Sequence, residues 1–293
     1  MAQFPLMSPI CVPPAGASPG AMGCWGMRLS GLKGVDHLLV PAPGAWPAVT
    51  VVTTVGRPAT AAPAGDGITI GFGEGGWAAV SADGRTIRLT VPRLPPAEAM
   101  VHPFLANPAA LASKALGRET FHAGAVVVGG GAWAVIGHRE GGKSTTLAWF
   151  EALGHPVVTD DVLAVGDGRV AFAGPRCLDL RPESARRFGR GEPLGQVGTR
   201  ERWRVRLKPV APEVPLRGWV FLEWGDSIGL AVLGFGEVAR RLLEHQGVNL
   251  LPDPARLLDL ATLPALVLTR PRAWSSLQPA LQLLAERLQE KGA

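Results

Sequence analysis

The sequence is poor in several residue types, and each shortage excludes a class of protein. Its 293 residues contain no tyrosine, three cysteines and only five lysines among 29 basic residues. Three cysteines without paired spacing form neither a disulfide framework nor a cysteine-ligated zinc site. The sequence contains no run of about 18 apolar residues, so no membrane-spanning helix is predicted. Residues 1–27 carry no charge, which excludes the basic start of a secretory signal, so a cytoplasmic location is expected.

What the sequence does contain is ample apolar material and a small excess of positive charge. Hydrophobic residues make up 47% of the chain, enough for one large or two modest cores. The formal net charge is +5, carried almost entirely by arginine, which suits phosphate and carboxylate recognition as well as nucleic acid. Because only one basic cluster occurs, without interleaved aromatics, we expect neither nucleic acid nor a membrane as a partner.

The order of the patterns along the chain indicates three regions. Residues 1–26 are rich in Pro, Gly, Ser and Met, and we expect them to lack fixed structure. Residues 27–117 predict a small β-rich domain that selects the substrate and ends in a helix interrupted near its prolines. Its clearest strand predictions are 50–55, 68–72, 77–81 and 86–91. Residues 118–293 alternate strand and helix patterns, which predicts an α/β catalytic domain.

A glycine-rich loop gives the strongest functional signal. Residues 137–145, GHREGGKST, match G-x-x-x-x-G-K-[ST] between an apolar strand run and a helical run. The amides of such a loop and the dipole of the following helix attract phosphates. Lys143 would reach the β- and γ-phosphates of ATP, and Ser144 would ligate Mg²⁺. The predicted nucleotide-binding residues are Gly137, Glu140, Gly141, Gly142, Lys143, Ser144 and Thr145.

Two adjacent carboxylates are predicted to lie near the same phosphates. Asp160 and Asp161 close the next apolar strand run, 17 and 18 residues after Lys143. Strand ends in α/β sheets point into the crevice that holds the ligand. One carboxylate can hold Mg²⁺ while the other accepts a proton from an attacking hydroxyl. The residues alone do not divide these two tasks.

A histidine and a row of arginines are further candidates for this site. His122 precedes the loop strand, in a pattern that fits a buried structural residue as well as a catalytic one. The alternation at 202–206 places Arg202, Arg204 and Arg206 on one face of a strand. Such a face is solvated surface, or it stabilises a transferring phosphate or docks an acidic peptide. Arg204 is our candidate for a catalytic role.

Taken together, these segments resemble the HPr serine kinase/phosphorylase superfamily, and more closely its HPr-kinase-like relatives in peptide-modification clusters. The resemblance covers about residues 115–225. It is carried by FHAG at 121–124, GHREGGKST at 137–145, GHPVVTDD at 154–161, GPRCLDL at 174–180 and VPLRG at 214–218. It implies a P-loop kinase core with the mixed sheet and helices of HPr kinase and PEP carboxykinase, preceded here by the small β-rich domain.

The resemblance implies a kinase that transfers the γ-phosphoryl group of Mg²⁺-ATP to a serine hydroxyl. By carry-over, Asp160 is the base, His122 is a functional histidine near it, and Asp161 joins Ser144 near Mg²⁺. Some relatives phosphorylate the C-terminal serine of a lasso-peptide precursor, so a precursor peptide is the favoured acceptor and a small hydroxyl compound the alternative. HPr kinases proper are hexamers, which makes a homo-oligomer one of the expected states.

Two departures from the family pattern affect these expectations. The EIRG-like segment, with its metal-binding glutamate, is replaced by FAGP at 172–175, which disfavours HPr itself as acceptor. Glu140 places a negative charge within the phosphate loop, where Arg139 or Mg²⁺ would have to offset it. A different class of function also fits: a nucleotide-responsive module that binds a peptide without chemistry.

Overall fold

In the computed structural model, which describes residues 17–56, 67–72 and 75–290, the chain folds into three sheets and the helices that cover them. The mixed α/β class expected from the sequence is confirmed. The division into a substrate-selecting domain and a catalytic domain stays a prediction. Within the described ranges, no helix is both long enough and apolar enough to cross a membrane.

The first sheet contains the four strands predicted from alternation and three more before them. Its strands are β1 (Ala17–Cys24), β2 (Met27–Ser30), β3 (Val40–Pro43), β4 (Ala48–Val55), β5 (Ile68–Phe72), β6 (Gly76–Val80) and β7 (Thr86–Val91). Their spatial order is β3-β1-β2-β4-β7-β6-β5. Alternate residues point into the core in the first half of β4 and along β7, so that Val51, Ile87 and Leu89 are buried.

The expectation that residues 1–26 lack fixed structure is wrong for their described part. Strand β1 pairs with β2 and β3, and Trp25 after it is 0% exposed. The Trp25 amide donates to the carbonyl of Ala173 (2.6 Å), and its indole N–H donates to the carbonyl of Val162 (3.2 Å). This part of the chain is ordered because Trp25 and Cys24, together with Met27 just beyond it, are fully buried, and such burial offsets the entropy cost of ordering the chain. Residues 1–16 lie outside the described residues.

The predicted interrupted helix is present after this sheet. It consists of α1 (Ala97–Ala99), an irregular turn at Met100–Phe104 with a cis His102–Pro103 peptide bond, and α2 (Ala106–Ala115). Pro108 lies in the first turn of α2, where a missing amide hydrogen costs little. The helix packs on β6 and β7.

The second sheet has nine strands and forms the centre of the molecule. They are β8 (Glu119–Phe121), β9 (Ala123–Val128), β10 (Gly131–Ile136), β11 (Val157–Thr159), β12 (Leu163–Gly166), β13 (Val170–Phe172), β17 (Glu213–Trp224), β18 (Gly229–Val232) and β19 (Ala265–Arg270). The order is β11-β9-β10-β17-β13-β12-β8, and β19 also pairs with β17, with β18 beyond it. Strands β10, β17 and β19 are parallel, and β9 is antiparallel to both β10 and β11.

Helices cover both faces of this sheet, which explains why β10 is apolar at every position. The helices are α3 (Lys143–Ala152), α4 (Pro182–Phe188), α5 (Phe235–Glu244), α6 (Pro254–Ala261) and α7 (Trp274–Glu290). Trp133 and Val135 pack on the side of α3 and α7, while Ala134 and Ile136 pack on the side of α5 and α6. Each fully buried large apolar side chain contributes about 1.5–3 kcal/mol to the stability.

A third sheet is formed by three strands of residues 177–206. It consists of β14 (Cys177–Leu180), β15 (Glu192–Val197) and β16 (Arg200–Arg206), in the order β14-β16-β15. Cys177 also belongs to a buried cluster that contains Trp25 and Met27 of the first sheet and Ala164 and Phe172 of the second. The apolar core is therefore continuous across the expected domain boundary at residues 117 and 118.

Candidate active site

Five chain segments meet at one edge of the nine-stranded sheet. Because β10, β11, β17 and β19 run in the same direction, their carboxyl ends share this edge, and the start of the antiparallel β9 lies there too. The glycine loop follows β10, Asp160 and Asp161 follow β11, and His122 precedes β9. Trp224 and Arg270 end β17 and β19. The topology thus assembles most of the residues expected from the sequence.

The glycine-rich loop at 137–145 leads into helix α3 without a side-chain cap on the first amides of the helix. Helix α3 begins at Lys143, and its N-cap, Gly142, has φ 91° and provides no side-chain cap for the first amides of the helix. A Cβ atom at Gly142 would lie 3.2 Å from Nη2 of Arg270, so glycine meets both a conformational and a spatial need. Uncapped first-turn amides and the helix dipole together favour a bound phosphate.

Lys143 connects the loop to His122. Its Nζ donates to the carbonyl of Gly137 (2.7 Å) and contacts Nε2 of His122 (2.9 Å). On the other side of the ring, Nδ1 of His122 lies 3.3 Å from Oδ1 of Asp161. Because an ammonium group only donates, Nε2 is the acceptor, and the proton of the neutral ring is on Nδ1 facing Asp161. Burial and the charge of Lys143 lower the pKa of His122, against the charge of Asp161, in agreement with a neutral ring.

Asp160 and Asp161 occupy different environments. Asp160 is 4% exposed and accepts hydrogen bonds from Ser144 Oγ at 3.2 and 3.1 Å. Burial, together with the charge of Asp161, raises the pKa of Asp160 to about 7. The side chain of Asp161 is 37% exposed. Desolvation acts to raise the pKa of Asp161, but the nearby basic groups, His102 foremost, outweigh it and the pKa is lowered.

The pair Ser144 and Asp160 fits a magnesium ion. Within the described part of the chain, no group of three or more His, Cys, Asp or Glu side chains is arranged to hold a metal. Mg²⁺ needs fewer protein ligands, because phosphate and water oxygens complete its shell. Asp160 has a hydroxyl beside it and no ion-pair partner among the described residues, so a cation would stabilise its buried charge. Asp161, the metal ligand expected from the sequence, contacts His122 instead.

The negative charge of Glu140 is offset by two arginines from distant segments. Arg181 Nη2 lies 2.9 Å from Oε1 of Glu140, and Arg272 Nη2 lies 3.2 Å from Oε2. These partners are neither Arg139 nor a metal ion, the two expected from the sequence. The arrangement also brings two guanidinium groups to the rim of the phosphate loop.

The structure does not bring Arg204 to this cluster. Its side chain is 1% exposed, and Nε and Nη2 donate to the two oxygens of Asp179 at 2.9 and 3.0 Å. Nη2 also donates to the carbonyl of His102 (2.6 Å). With its donors occupied, Arg204 holds the third sheet against the turn before α2.

Two other arginines of the same strand face act electrostatically on the carboxylates. The charge of Arg200 acts on Asp160, and that of Arg202 acts on Asp161. The two-residue alternation that placed Arg202, Arg204 and Arg206 on one face begins at Arg200. That alternation was visible in the sequence, although the prediction singled out Arg204.

Asp179 is a buried residue that sequence reasoning missed as part of the site. It is paired with Arg202 and Arg204, and Nε2 of His102 lies 3.6 Å from its Oδ2. Burial lowers the pKa of His102, against the charges of Asp179 and Asp161. No local pattern could have joined residues so far apart in the chain.

Comparisons with known proteins give a distant structural likeness and no sequence match. No protein-family model matches the chain, and no curated protein matches its sequence. Among solved structures, the chain is similar to the HPr(Ser) kinase/phosphatase from Coxiella burnetii, with 14% sequence identity and a TM-score of 0.30. The match covers 59% of this chain and 99% of the other. At this TM-score the function has to be inferred from the residues of the site itself.

Proposed function

We propose that the protein is a Mg²⁺-dependent kinase that transfers the γ-phosphoryl group of ATP to a serine hydroxyl of a peptide. The observation that supports this most strongly is that two groups of contacting side chains meet at one phosphate loop. Lys143, His122 and Asp161 form the first, and Ser144 with Asp160 forms the second. A phosphate grip, a hydroxyl–carboxylate pair for a metal and a second carboxylate are the parts that phosphoryl transfer requires.

The contacts favour one division of labour between the aspartates. Ser144 and Asp160 share a hydrogen bond, and they would hold Mg²⁺ together. Asp161 is the more exposed carboxylate and is held by His122, so an acceptor hydroxyl can reach it. This assigns the base to Asp161 and the metal to Asp160, the reverse of the assignment carried over from the resemblance.

The residues of the site then act together on the transfer. Lys143 and the loop amides orient the triphosphate, and Mg²⁺, when bound, neutralises charge on its β- and γ-phosphates. The acceptor hydroxyl gives its proton to Asp161 while its oxygen bonds to the γ-phosphorus. The bond from that phosphorus to the bridging oxygen breaks, and ADP leaves with the electron pair. Arg200 and Arg202 add positive charge on the side of the carboxylates.

A peptide serine is proposed as the acceptor on the resemblance of the sequence segments to peptide kinases. A lasso-peptide precursor with a C-terminal serine belongs to this class, and a small hydroxyl compound is the alternative.

Intact-mass spectrometry with Mg²⁺-ATP and serine-terminated precursor peptides tests the proposal. We expect a gain of about 80 Da on the peptide, the mass of one phosphoryl group. Lys143→Ala and Asp161→Asn should abolish it, while Asp160→Asn should raise the Mg²⁺ concentration needed. Asp167→Asn, at a 90% exposed carboxylate, is the matched control and should be fully active.

Other results would redirect the assignment. Undiminished transfer by Asp161→Asn would contradict its role as base and return that role to Asp160. ATP binding without transfer to any peptide or small hydroxyl compound would instead favour the peptide-binding module.

A further inference from the structure

An aromatic side chain borders the phosphate loop on the side away from the aspartates. Trp224 ends β17, and a Cβ atom at Gly142 would lie 3.7 Å from its Cη2. Strands β17 and β19 flank β10 on one side, while β9 and β11 flank it on the other. The loop therefore has its carboxylates on one side and a tryptophan on the other.

The ring of Trp224 is held in place but only partly covered. The guanidinium of Arg270 lies 4.4 Å from the ring centroid, a cation–π distance. Arg270 is itself buried and donates to Pro271 O (3.3 Å) and Ser276 Oγ (3.4 Å). Trp224 nevertheless remains 37% exposed. A fixed cation thus supports an aromatic ring that still presents surface to solvent.

A second arginine ties this ring to the loop. Arg272 lies 5.8 Å from the Trp224 centroid, and its Nη2 contacts Oε2 of Glu140. The tryptophan, the two arginines and the phosphate loop are therefore linked by a continuous set of contacts. A nucleotide whose phosphates occupy the loop with its γ-phosphate toward the aspartates would extend its base in the opposite direction, toward Trp224.

We propose that Trp224 stacks on the purine base of the nucleotide held by the phosphate loop, with Arg270 and Arg272 positioning the ring. This inference rests on the proposed function, since it needs a nucleotide in the loop. Aromatic faces bind bases by stacking, which tolerates different bases because every base has a π-face. Purines cover more of the ring than pyrimidines do, so ATP and GTP should bind similarly well and CTP and UTP more weakly.

Isothermal titration calorimetry of the full chain with Mg²⁺ separates the base from the phosphates. The two ligands are ATP and inorganic tripolyphosphate, and the variants are Trp224→Leu and Trp224→Phe. In Trp224→Leu we expect ATP affinity to fall roughly 5- to 150-fold, the range for loss of one stacked base. Tripolyphosphate affinity should not change, and Trp224→Phe, which keeps an aromatic face, should retain most of the ATP affinity.

Each alternative outcome counts against a defined part of the scheme. Equal affinity of the wild-type protein for ATP and tripolyphosphate, or an unchanged ATP affinity in Trp224→Leu, would overturn the proposed base site. The proposed phosphotransfer function would stand in either case. A parallel loss of both ligands in Trp224→Leu would also overturn it, since Trp224 would then only shape the loop. A wild-type protein that binds neither ligand would remove the proposed function and the base site together.

Discussion

Asp160 and Asp161 are neighbours in the chain, yet their surroundings move their pKa values in opposite directions. Asp160 is buried beside another carboxylate and accepts a hydrogen bond from one hydroxyl group. Asp161, in contrast, faces basic groups from several segments. Titratable pairs whose environments separate their pKa values are typical of acid–base sites. The pair was visible in the sequence, but its division of labour was not, because the groups that create the difference come from distant parts of the chain.

The raised pKa of Asp160 makes the stability of the metal-free protein depend on pH. Between about pH 4 and pH 7 the folded state keeps a proton on Asp160 that the unfolded chain has released, so stability falls as pH rises through this interval. Asp160→Asn removes this cost. At about 1.4 kcal/mol per pKa unit, we expect the variant to be more stable at pH 8 by about 1–4 kcal/mol and nearly unchanged at pH 4.

Urea unfolding in the presence of a chelator measures this difference. Asp167→Asn, at an exposed carboxylate, should show no pH-dependent gain. If Asp160→Asn raised the free energy of unfolding by the same amount at both pH values, the buried charge of Asp160 would not be the cause of the stabilisation.

At the scale of the elements, the phosphate loop and helix α3 offer a matched pair of glycines. Gly142 precedes α3 and Gly154 follows it, and both have φ 91°. A Cβ atom at Gly142 meets Arg270, whereas one at Gly154 meets nothing within 4 Å. Alanine at either position carries the same backbone strain, about 1–2 kcal/mol. Only the alanine at position 142 also disturbs the loop.

We therefore expect Gly142→Ala to weaken ATP binding at least about tenfold, the equivalent of about 1.4 kcal/mol. Gly154→Ala should lose similar stability and keep its ATP affinity. Calorimetric titration with ATP and thermal melting of both variants distinguish the two effects. Equal ATP affinities would mean that the geometry at Gly142 does not control phosphate binding.

How far the elements could be predicted depends on how local their causes are. Strands β4 to β7, the apolar β10 and the amphipathic α7 follow from periodicity, which is contained in the sequence itself. The apolar run 121–128 has the pattern of a single strand, but it is divided at His122, whose amide donates to the carbonyl of His245 (2.9 Å). This division turns His122 into the site. It depends on His245, which lies more than a hundred positions away in the sequence.

At the scale of the whole molecule, Asp179 joins segments that are far apart in the sequence. It binds Arg202 and Arg204 of β16 and contacts His102 from the turn before α2. Arg204 also lies 3.5 Å from Glu98 of α1. A buried ion pair adds little net stability compared with apolar residues, but the loss of one partner leaves the other charge buried and uncompensated.

We expect Asp179→Ala to lower the free energy of unfolding by about 3–5 kcal/mol. Glu290→Ala, which breaks the exposed pair with Arg287, should cost less than about 1 kcal/mol. Urea unfolding of both variants provides the measurement. If Asp179→Ala kept normal stability but lost phosphotransfer, the network would serve catalysis directly, and Arg204 would regain the role first expected of it.

The candidate site was predictable where its residues lie in consecutive motifs, and unpredictable where the fold assembles it. The loop at 137–145 and the pair Asp160 and Asp161 are apparent from spacing alone. Trp224 and Arg270 come from the ends of β17 and β19, and only the parallel order of the sheet places them beside the loop. Long-range pairing of this kind leaves no local pattern.

The burial of Trp25 has a practical consequence for work with this protein. The carbonyl oxygen of Val162, next to Asp161, accepts hydrogen bonds from the Trp25 indole and from Thr159 Oγ1. Trp25, directly after the first described strand, therefore braces the turn that carries both carboxylates. An expression vector with its start codon at Met27 would omit this brace. The choice of cloning boundary is thus also a choice about the support of Asp160 and Asp161.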